Sequence, residues 1–324
     1  MGLFDVASRG LLSAALAGAV AFGTAGCAEK YIMIQTGIYP GPLLYEDALK
    51  WTREASDTVQ TMDDFEAAQE SAYGAMGMLE GLHKLVPDDQ DGLLLLVKAW
   101  SGIAYAFMDD DREDALDHKD EQLAAYHEAR ARAAFKRARF YGDELIGLQA
   151  SGFKQAQRNA DTLRAWLKDN FDDKQYAEEL MWVAFSIVGR VAFDMDNPET
   201  VSELWIGIEL AEQSARLDET LEYGQAHTMI GAAEAGLHDY DEAKKHFDRA
   251  IELSQGKALS VKITMAERYY CPKSDKKDYF DALNQVLEAG DTLPDERLSN
   301  TIAKRRARRY LSNKYWQEDC AFGG

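Results

Sequence analysis

The chain has 324 residues, of which 46% are hydrophobic, and a formal net charge of −20 at pH 7. It is long and apolar enough for a sizeable packed interior. So acidic a balance argues against nucleic acid, whose phosphates it would repel, and against unassisted binding to anionic lipid.

The first 26 residues are predicted to be an export signal. The apolar run 10–22 is shorter than the about 20 residues that a membrane-spanning helix needs, and it has the length of a signal-peptide core. It leads into TAGC at 24–27, which resembles the lipobox of bacterial lipoproteins, so Cys27 is the expected site of lipid attachment. The alternative is an ordinary secretory signal with an incidental cysteine. In an oxidising compartment the two remaining cysteines, Cys271 and Cys320, either pair or stay as unconnected thiols.

A short tether, residues 27–44, precedes a single helical repeat domain that fills residues 45–324. No strand pattern and no long linker interrupts this domain, and the six prolines lie between periodic segments, so the predicted fold class is all-α. The predicted helices lie near 45–60, 64–85, 91–108, 121–148, 155–169, 176–195, 199–217, 222–236, 240–254, 258–270, 276–289 and 295–317.

The clearest repeat, residues 224–257, matches a tetratricopeptide unit, whose period is about 34 residues. Ala243, Phe247 and Ala250 share one face of its second helix in a small–large–small order, which lets a neighbouring helix approach closely. Gly231 falls at the small packing position of the first helix. Degenerate pairs are expected beside this repeat, stacked in a compact solenoid. By itself such a repeat predicts a binding surface and no reaction.

The sequence contains no G-x-S-x-G, H-E-x-x-H or C-x-x-C motif and no glycine-rich phosphate loop, so no enzyme activity, cofactor or metal is predicted. An enzyme whose site is assembled from dispersed residues is the weaker alternative. His238 and His246, with Glu242 between them, could be metal ligands but are interpreted as a solvated helix face. The acidic runs 88–92 and 109–114 do not fit an EF-hand loop and are predicted to be helix-flanking loops.

Three further patterns each allow two interpretations. The basic run 304–309 either contacts an anionic partner or lipid headgroups, or complements the helix dipole and neighbouring acidic repeats. Glu80 and the pair 178–179 are interpreted as ordinary unpaired surface carboxylates. Six aromatic residues at helical spacing indicate core positions, with a ligand channel as the alternative; they are Trp100, Tyr105, Phe107, Trp182, Phe185 and Trp205.

A set of stretches follows one order and spacing along the chain. They are LHKLVP (82–87), LLLLVKAW (93–100), AAFKRARFYG (133–142), GQAH (224–227), the run from 243 through SQG (254–256) to 295, LSNTIA (298–303) and RA (306–307). Together they resemble the T component of tripartite ATP-independent periplasmic (TRAP) transporters, over roughly residues 71–322.

The resemblance implies a periplasmic lipoprotein, built of tetratricopeptide-like helix pairs, that can form homotrimers. It also implies pairing with the soluble substrate-binding component and a channel through each protomer, proposed to pass an apolar or organic-acid ligand. The predicted function is therefore the binding and hand-over of a ligand, without catalysis. The lipid anchor would lie in either the outer or the inner membrane. The alternative is a periplasmic scaffold or envelope-assembly adaptor that binds protein segments in a superhelical groove.

Overall fold

The computed structural model describes residues 31–32, 43–318 and 320–322. The predicted export signal and Cys27 lie outside these residues. The described chain is built of helices joined by short turns, and one two-residue antiparallel strand pair lies within the predicted tether. The all-α prediction is confirmed.

The described elements follow one another with short connections. The strands are β1 (Tyr31–Ile32) and β2 (Leu43–Leu44). The helices are α1 (Tyr45–Gln60), α2 (Phe65–Leu85), α3 (Gln90–Ile103), α4 (Asp109–Asp117), α5 (Glu121–Gln149), α6 (Phe153–Ala156), α7 (Ala160–Asn170), α8 (Ala177–Ala192), α9 (Pro198–Val201), α10 (Leu204–Leu217), α11 (Gln225–Gly236), α12 (Tyr240–Leu253), α13 (Leu259–Met265), α14 (Lys276–Glu288), α15 (Arg297–Ser312) and α16 (Tyr315–Glu318). Single π-helical turns follow α3 (Ala104–Met108) and α13 (Ala266–Tyr270), and 3-10 turns lie at Lys174–Tyr176, Leu221–Tyr223 and Pro294–Glu296.

Aspartates begin many of these helices, which accounts for part of the acidic composition. A carboxylate at the N-cap accepts a hydrogen bond from an otherwise unpaired backbone N–H, worth about 1 kcal/mol. In the acidic run 88–92, Asp89 Oδ1 accepts from Gly92 N at 2.7 Å and starts α3. The predicted helix-flanking loop is therefore present at residues 88–89, whereas residues 90–92 already belong to the first turn of α3. The caps of this kind are Asp64, Asp89, Asp120, Asp239 and Asp275.

The second acidic run contradicts its prediction. The helix expected to end at residue 108 continues through the π turn into α4, so residues 109–114 are helical rather than a loop. Asp109, Asp110 and Glu113 are buried there. The whole stretch Gln90–Asp117 is long and apolar enough to cross a membrane, but 67% of its apolar window is buried inside the fold, as in a core helix.

The predicted repeat forms a helix hairpin of α11 and α12. Ala243, Phe247 and Ala250 are completely buried at its interface. A Cβ added to Gly231 would lie 3.0 Å from the Phe247 ring, so the two helices approach closely where glycine removes the side chain. Because α11 also packs on α10, and α10 on α8, neighbouring helices bury one another in sequence order.

The last long helix returns to the beginning of the chain. Besides α13 and α14, α15 contacts α1, α2 and α4. A disulfide links Cys271, just after the second π turn, to Cys320 in the C-terminal segment, with 4.4 Å between the Cα atoms. The helices therefore close around a central space instead of leaving two open ends.

Candidate functional site

A cavity of about 560 Å³ lies inside this closed arrangement. Its volume is within the range of small-molecule sites, about 300–1,000 Å³. Segments from both ends of the chain line it, including α1, α3, α8, α13 and α15. Most of the wall is apolar, with side chains that include Leu79, Leu95, Ile103, Phe107, Met181, Phe185, Val261, Ile263, Leu298 and Ile302.

Four of the six aromatic residues considered from the sequence line the cavity: Tyr105, Phe107, Trp182 and Phe185. Their rings also pack on one another and on the core; for example, the Phe185 ring meets those of Tyr105 and Trp182 at centroid distances of 5.7 and 5.6 Å. The core and the channel interpretations therefore both apply to these four. The other two, Trp100 and Trp205, are absent from the lining and pack within the helix layers.

Three charged side chains make one part of the wall polar. Glu222 accepts a hydrogen bond from Trp182 Nε1 at 3.0 Å, and its Oε1 lies 3.9 Å from Lys98 Nζ. Burial, and then the neighbouring Glu222, raise the pKa of Glu296 to about 7. Burial also raises the pKa of Glu222, against the effect of Lys98. Two carboxyl groups that resist ionisation thus face one cavity.

The backbone that presents Glu222 is in an unusual conformation. Glu222 and Tyr223 have φ values of 44° and 58°, and Gly224 follows at 82°. Left-handed φ costs a non-glycine residue of order 1–3 kcal/mol, and such strain concentrates at functional sites. The predicted helix 222–236 was therefore wrong at its start, since α11 begins only at Gln225. No pattern in the sequence signals two successive left-handed residues of these types.

A buried hydroxyl also lines the cavity. Thr228, in the second turn of α11, is 4% exposed, and its Oγ1 has no hydrogen-bond partner in the described part of the chain. A buried hydroxyl without a partner is unfavourable by about 1–3 kcal/mol. This group is therefore able to gain a hydrogen bond from a ligand.

The basic run 304–309 pairs with the acidic run 109–114 beside the cavity, and Arg306 also lines it. Arg306 donates to Asp109 at 2.6 Å, and Arg309 donates to Glu113 at 2.6 Å. Of the two interpretations given to the basic run, pairing with acidic neighbours is confirmed for its buried members, because these guanidinium groups point into the protein. Burial raises the pKa of Glu113. On Asp109, the effect of burial is outweighed by Arg306 and the other nearby arginines together, which hold its pKa below the ordinary value.

The carboxylates predicted to be unpaired on the surface are in fact engaged. Glu80 accepts from Arg137 Nε at 2.6 Å, from Trp100 Nε1 at 2.7 Å and from Tyr141 Oη at 2.9 Å. Lys98 donates to Glu178, and Gln149 donates to Glu179. That prediction was wrong because the partners come from other helices.

The histidine arrangement differs from the pair considered from the sequence. His246 lies 2.9 Å, Nδ1 to Nδ1, from His227, while His238 is hydrogen-bonded to Tyr240. Glu242 Oε1 is 3.6 Å from His246 Nε2. Among the residues that the structure describes, no group of three or more His, Cys, Asp or Glu side chains is arranged to hold a metal ion.

Comparison with protein-family models gives a match. The family model described as TRAP transporter T-component matches residues 61–316. The matched range begins just after α1 and takes in both the charged part of the cavity wall and the paired 109–114 and 304–309 runs. A search of curated proteins finds no match.

Proposed function

This chain belongs to the T-component family of TRAP transporters, and we propose from that premise that its cavity receives a small ligand and passes it on within the transport system. Membership gives it an accessory role in a TRAP system at the cell envelope. The observation that carries the proposal is a cavity of about 560 Å³ whose wall is more apolar than polar and includes Lys98, Glu222 and Glu296. A small molecule could be buried there with a few polar groups to orient it.

The partner in this proposal is the soluble substrate-binding component of the transporter. The protein would be periplasmic, held to the envelope by lipid on Cys27, and built of tetratricopeptide-like pairs of which α11 and α12 are the clearest. Its mature body would form a homotrimer. In that oxidising compartment the pairing of Cys271 with Cys320 would fasten the C-terminal segment.

Capture of partners from the native host tests the proposal. The membrane-anchored protein is isolated by affinity, and co-purifying proteins are identified by mass spectrometry, with an unrelated lipoprotein as control. Recovery of an extracytoplasmic substrate-binding protein is the expected result. Recovery of envelope-assembly proteins in its place would favour the adaptor function and contradict the hand-over.

Two further measurements address the anchor and the assembly. Intact-mass analysis of the wild type and of Cys27→Ala should show acyl mass only in the wild type. Light scattering of the mature body should give a trimer, and a monomer at micromolar concentration would remove that part of the proposal.

A further inference from the structure

The cavity wall carries more carboxylates than available cations. Four carboxylate residues line it, namely Asp57, Glu222, Asp295 and Glu296, against two cationic residues, Lys98 and Arg306. Each cation is already neutralised by a carboxylate that does not line the cavity. Lys98 is paired with Glu178, and Arg306 with Asp109.

The carboxylates have no comparable compensation. Glu296 makes no side-chain hydrogen bond or ion pair with any described residue. Glu222 has one N–H donor, from Trp182, and a shared, more distant ammonium, that of Lys98. The mutual repulsion of Glu222 and Glu296 contributes to the raised pKa of Glu296. A positive charge placed near both would relieve this repulsion.

Two independent features of the same wall indicate a ligand. The first is the unpartnered Oγ1 of buried Thr228, six residues after Glu222, which can accept a hydrogen bond. The second is the extent of the apolar wall, which continues through Ile103, Phe185 and Leu298 and would exclude water from a hydrocarbon body.

We propose that the cavity selects an amphipathic cation, whose ammonium group lies by Glu222 and Glu296 and whose apolar body lies along Ile103, Phe185 and Leu298. This inference rests on the proposed function and assigns to it a ligand class different from the apolar or organic-acid ligand that the family resemblance implies. An organic-acid anion of the same size would be repelled by the carboxylates, because both cationic side chains of the wall are already paired with other carboxylates. An uncharged apolar molecule would leave Glu222 and Glu296 uncompensated.

Matched eight-carbon probes test the charge preference. Binding of octylamine, 1-octanol and octanoate to the purified full chain is measured by titration calorimetry at pH 8, where the amine is charged. We expect octylamine to bind about tenfold more tightly than octanol, and octanoate to bind most weakly. Glu296→Gln and Glu222→Gln each keep the size of the side chain but remove its charge. Each should reduce the amine advantage, which is the ratio of octylamine affinity to octanol affinity, and leave the octanol affinity unchanged. Glu144→Gln, on the exposed face of α5, is the control and should retain it.

The outcomes separate the two proposals. Equal or tighter binding of octanoate, or an amine advantage that survives in both glutamine variants, overturns the cation inference. Amine selectivity together with no substrate-binding protein in the capture experiment supports the ligand class and contradicts the hand-over. Binding of none of the three probes overturns the cation inference, and the hand-over is then decided by the capture experiment alone. Circular dichroism of each variant checks that the fold is intact.

Discussion

Arg306 and Asp109 are 197 positions apart in the sequence, yet Arg306 Nη2 lies 2.6 Å from Asp109 Oδ2. Their contact is part of a buried network in which Arg305 and Arg309 bond Asp110, and Tyr310 donates to Glu113 at 2.7 Å. A buried charge is tolerated when its partners are this close, and removal of one partner leaves the other uncompensated. The network therefore fixes how the end of the chain meets α4.

Arg306→Met should destabilise the fold by about 3–5 kcal/mol, because Asp109 and Glu113 would remain buried without their shared guanidinium. Urea denaturation followed by circular dichroism measures the change. Arg308→Met is the matched control, since Arg308 is exposed on the same helix and its loss should change the stability by less than about 0.5 kcal/mol. Equal effects of the two substitutions would contradict a structural role for the network.

Gly102→Leu should block the cavity without disturbing the fold. Gly102 lines the cavity from within α3, and a Cβ built there meets nothing within 4 Å, so a leucine side chain would extend into open space. Leucine also favours a helix over glycine by roughly 0.8 kcal/mol, so stability should be kept or raised. The expected result is loss of octylamine binding in calorimetry with an unchanged or higher melting temperature.

Gly147→Leu is the control for that substitution. Gly147 is exposed on α5, and its Cβ position is equally open, but the residue does not line the cavity. It should gain the same helix propensity and keep full ligand binding. If Gly102→Leu still bound the probe with wild-type affinity, the cavity would not be the binding site.

Glu296 should make the protein less stable as the pH rises from about 4.5 to 7. Burial raises its pKa from 4.5 to about 7, so in this range the unfolded state releases a proton that the folded state keeps. The groups that face it are Glu222, Asp295 and Lys98, of which only Lys98 opposes the shift. Glu296→Gln should remove this part of the decline, as seen in the difference between melting temperatures at pH 4.5 and 7.5. Glu144→Gln should leave that difference as in the wild type.

The His227–His246 pair should change the stability in the opposite direction, within an overlapping pH range. Burial lowers the pKa of both imidazoles from 6.5, so as the pH falls below 6.5 the unfolded state takes up protons before the folded state does. Stability is therefore lost on acidification. The double variant His227→Gln/His246→Gln should flatten the decline between pH 6.5 and 5, measured by thermal melts. His238→Gln should keep the wild-type slope, and a flattened slope in that variant would contradict the assignment.

Local features of the sequence predicted most helices to within a few residues. Apolar residues at a 3.6 period and aspartate caps such as Asp64 and Asp239 are read directly from neighbouring positions. The close contact of Gly231 with Phe247 could be predicted in the same way, because both residues belong to one repeat and are only 16 positions apart. The family resemblance was confirmed by the match over residues 61–316.

The errors concern residues whose partners are distant in sequence. An acidic run such as 109–114 predicts a solvated loop when it is considered alone, and only the arginines about 200 positions later make its burial favourable. Glu80 was misjudged for the same reason, because Arg137 and Tyr141 reach it from α5. The left-handed backbone at Glu222 depends on tertiary packing, which no local propensity describes.

The contact of α15 with α1, α2 and α4 has a consequence for how this protein can evolve. An open array of helix pairs lengthens by duplication, since each new pair needs only one neighbour. Here an added pair would move α15 away from its contacts, separate Arg306 from Asp109 and open the cavity wall. We therefore expect closure to disfavour a change in the number of helices, so that variation among relatives of this chain should appear as changes of lining residues rather than of length.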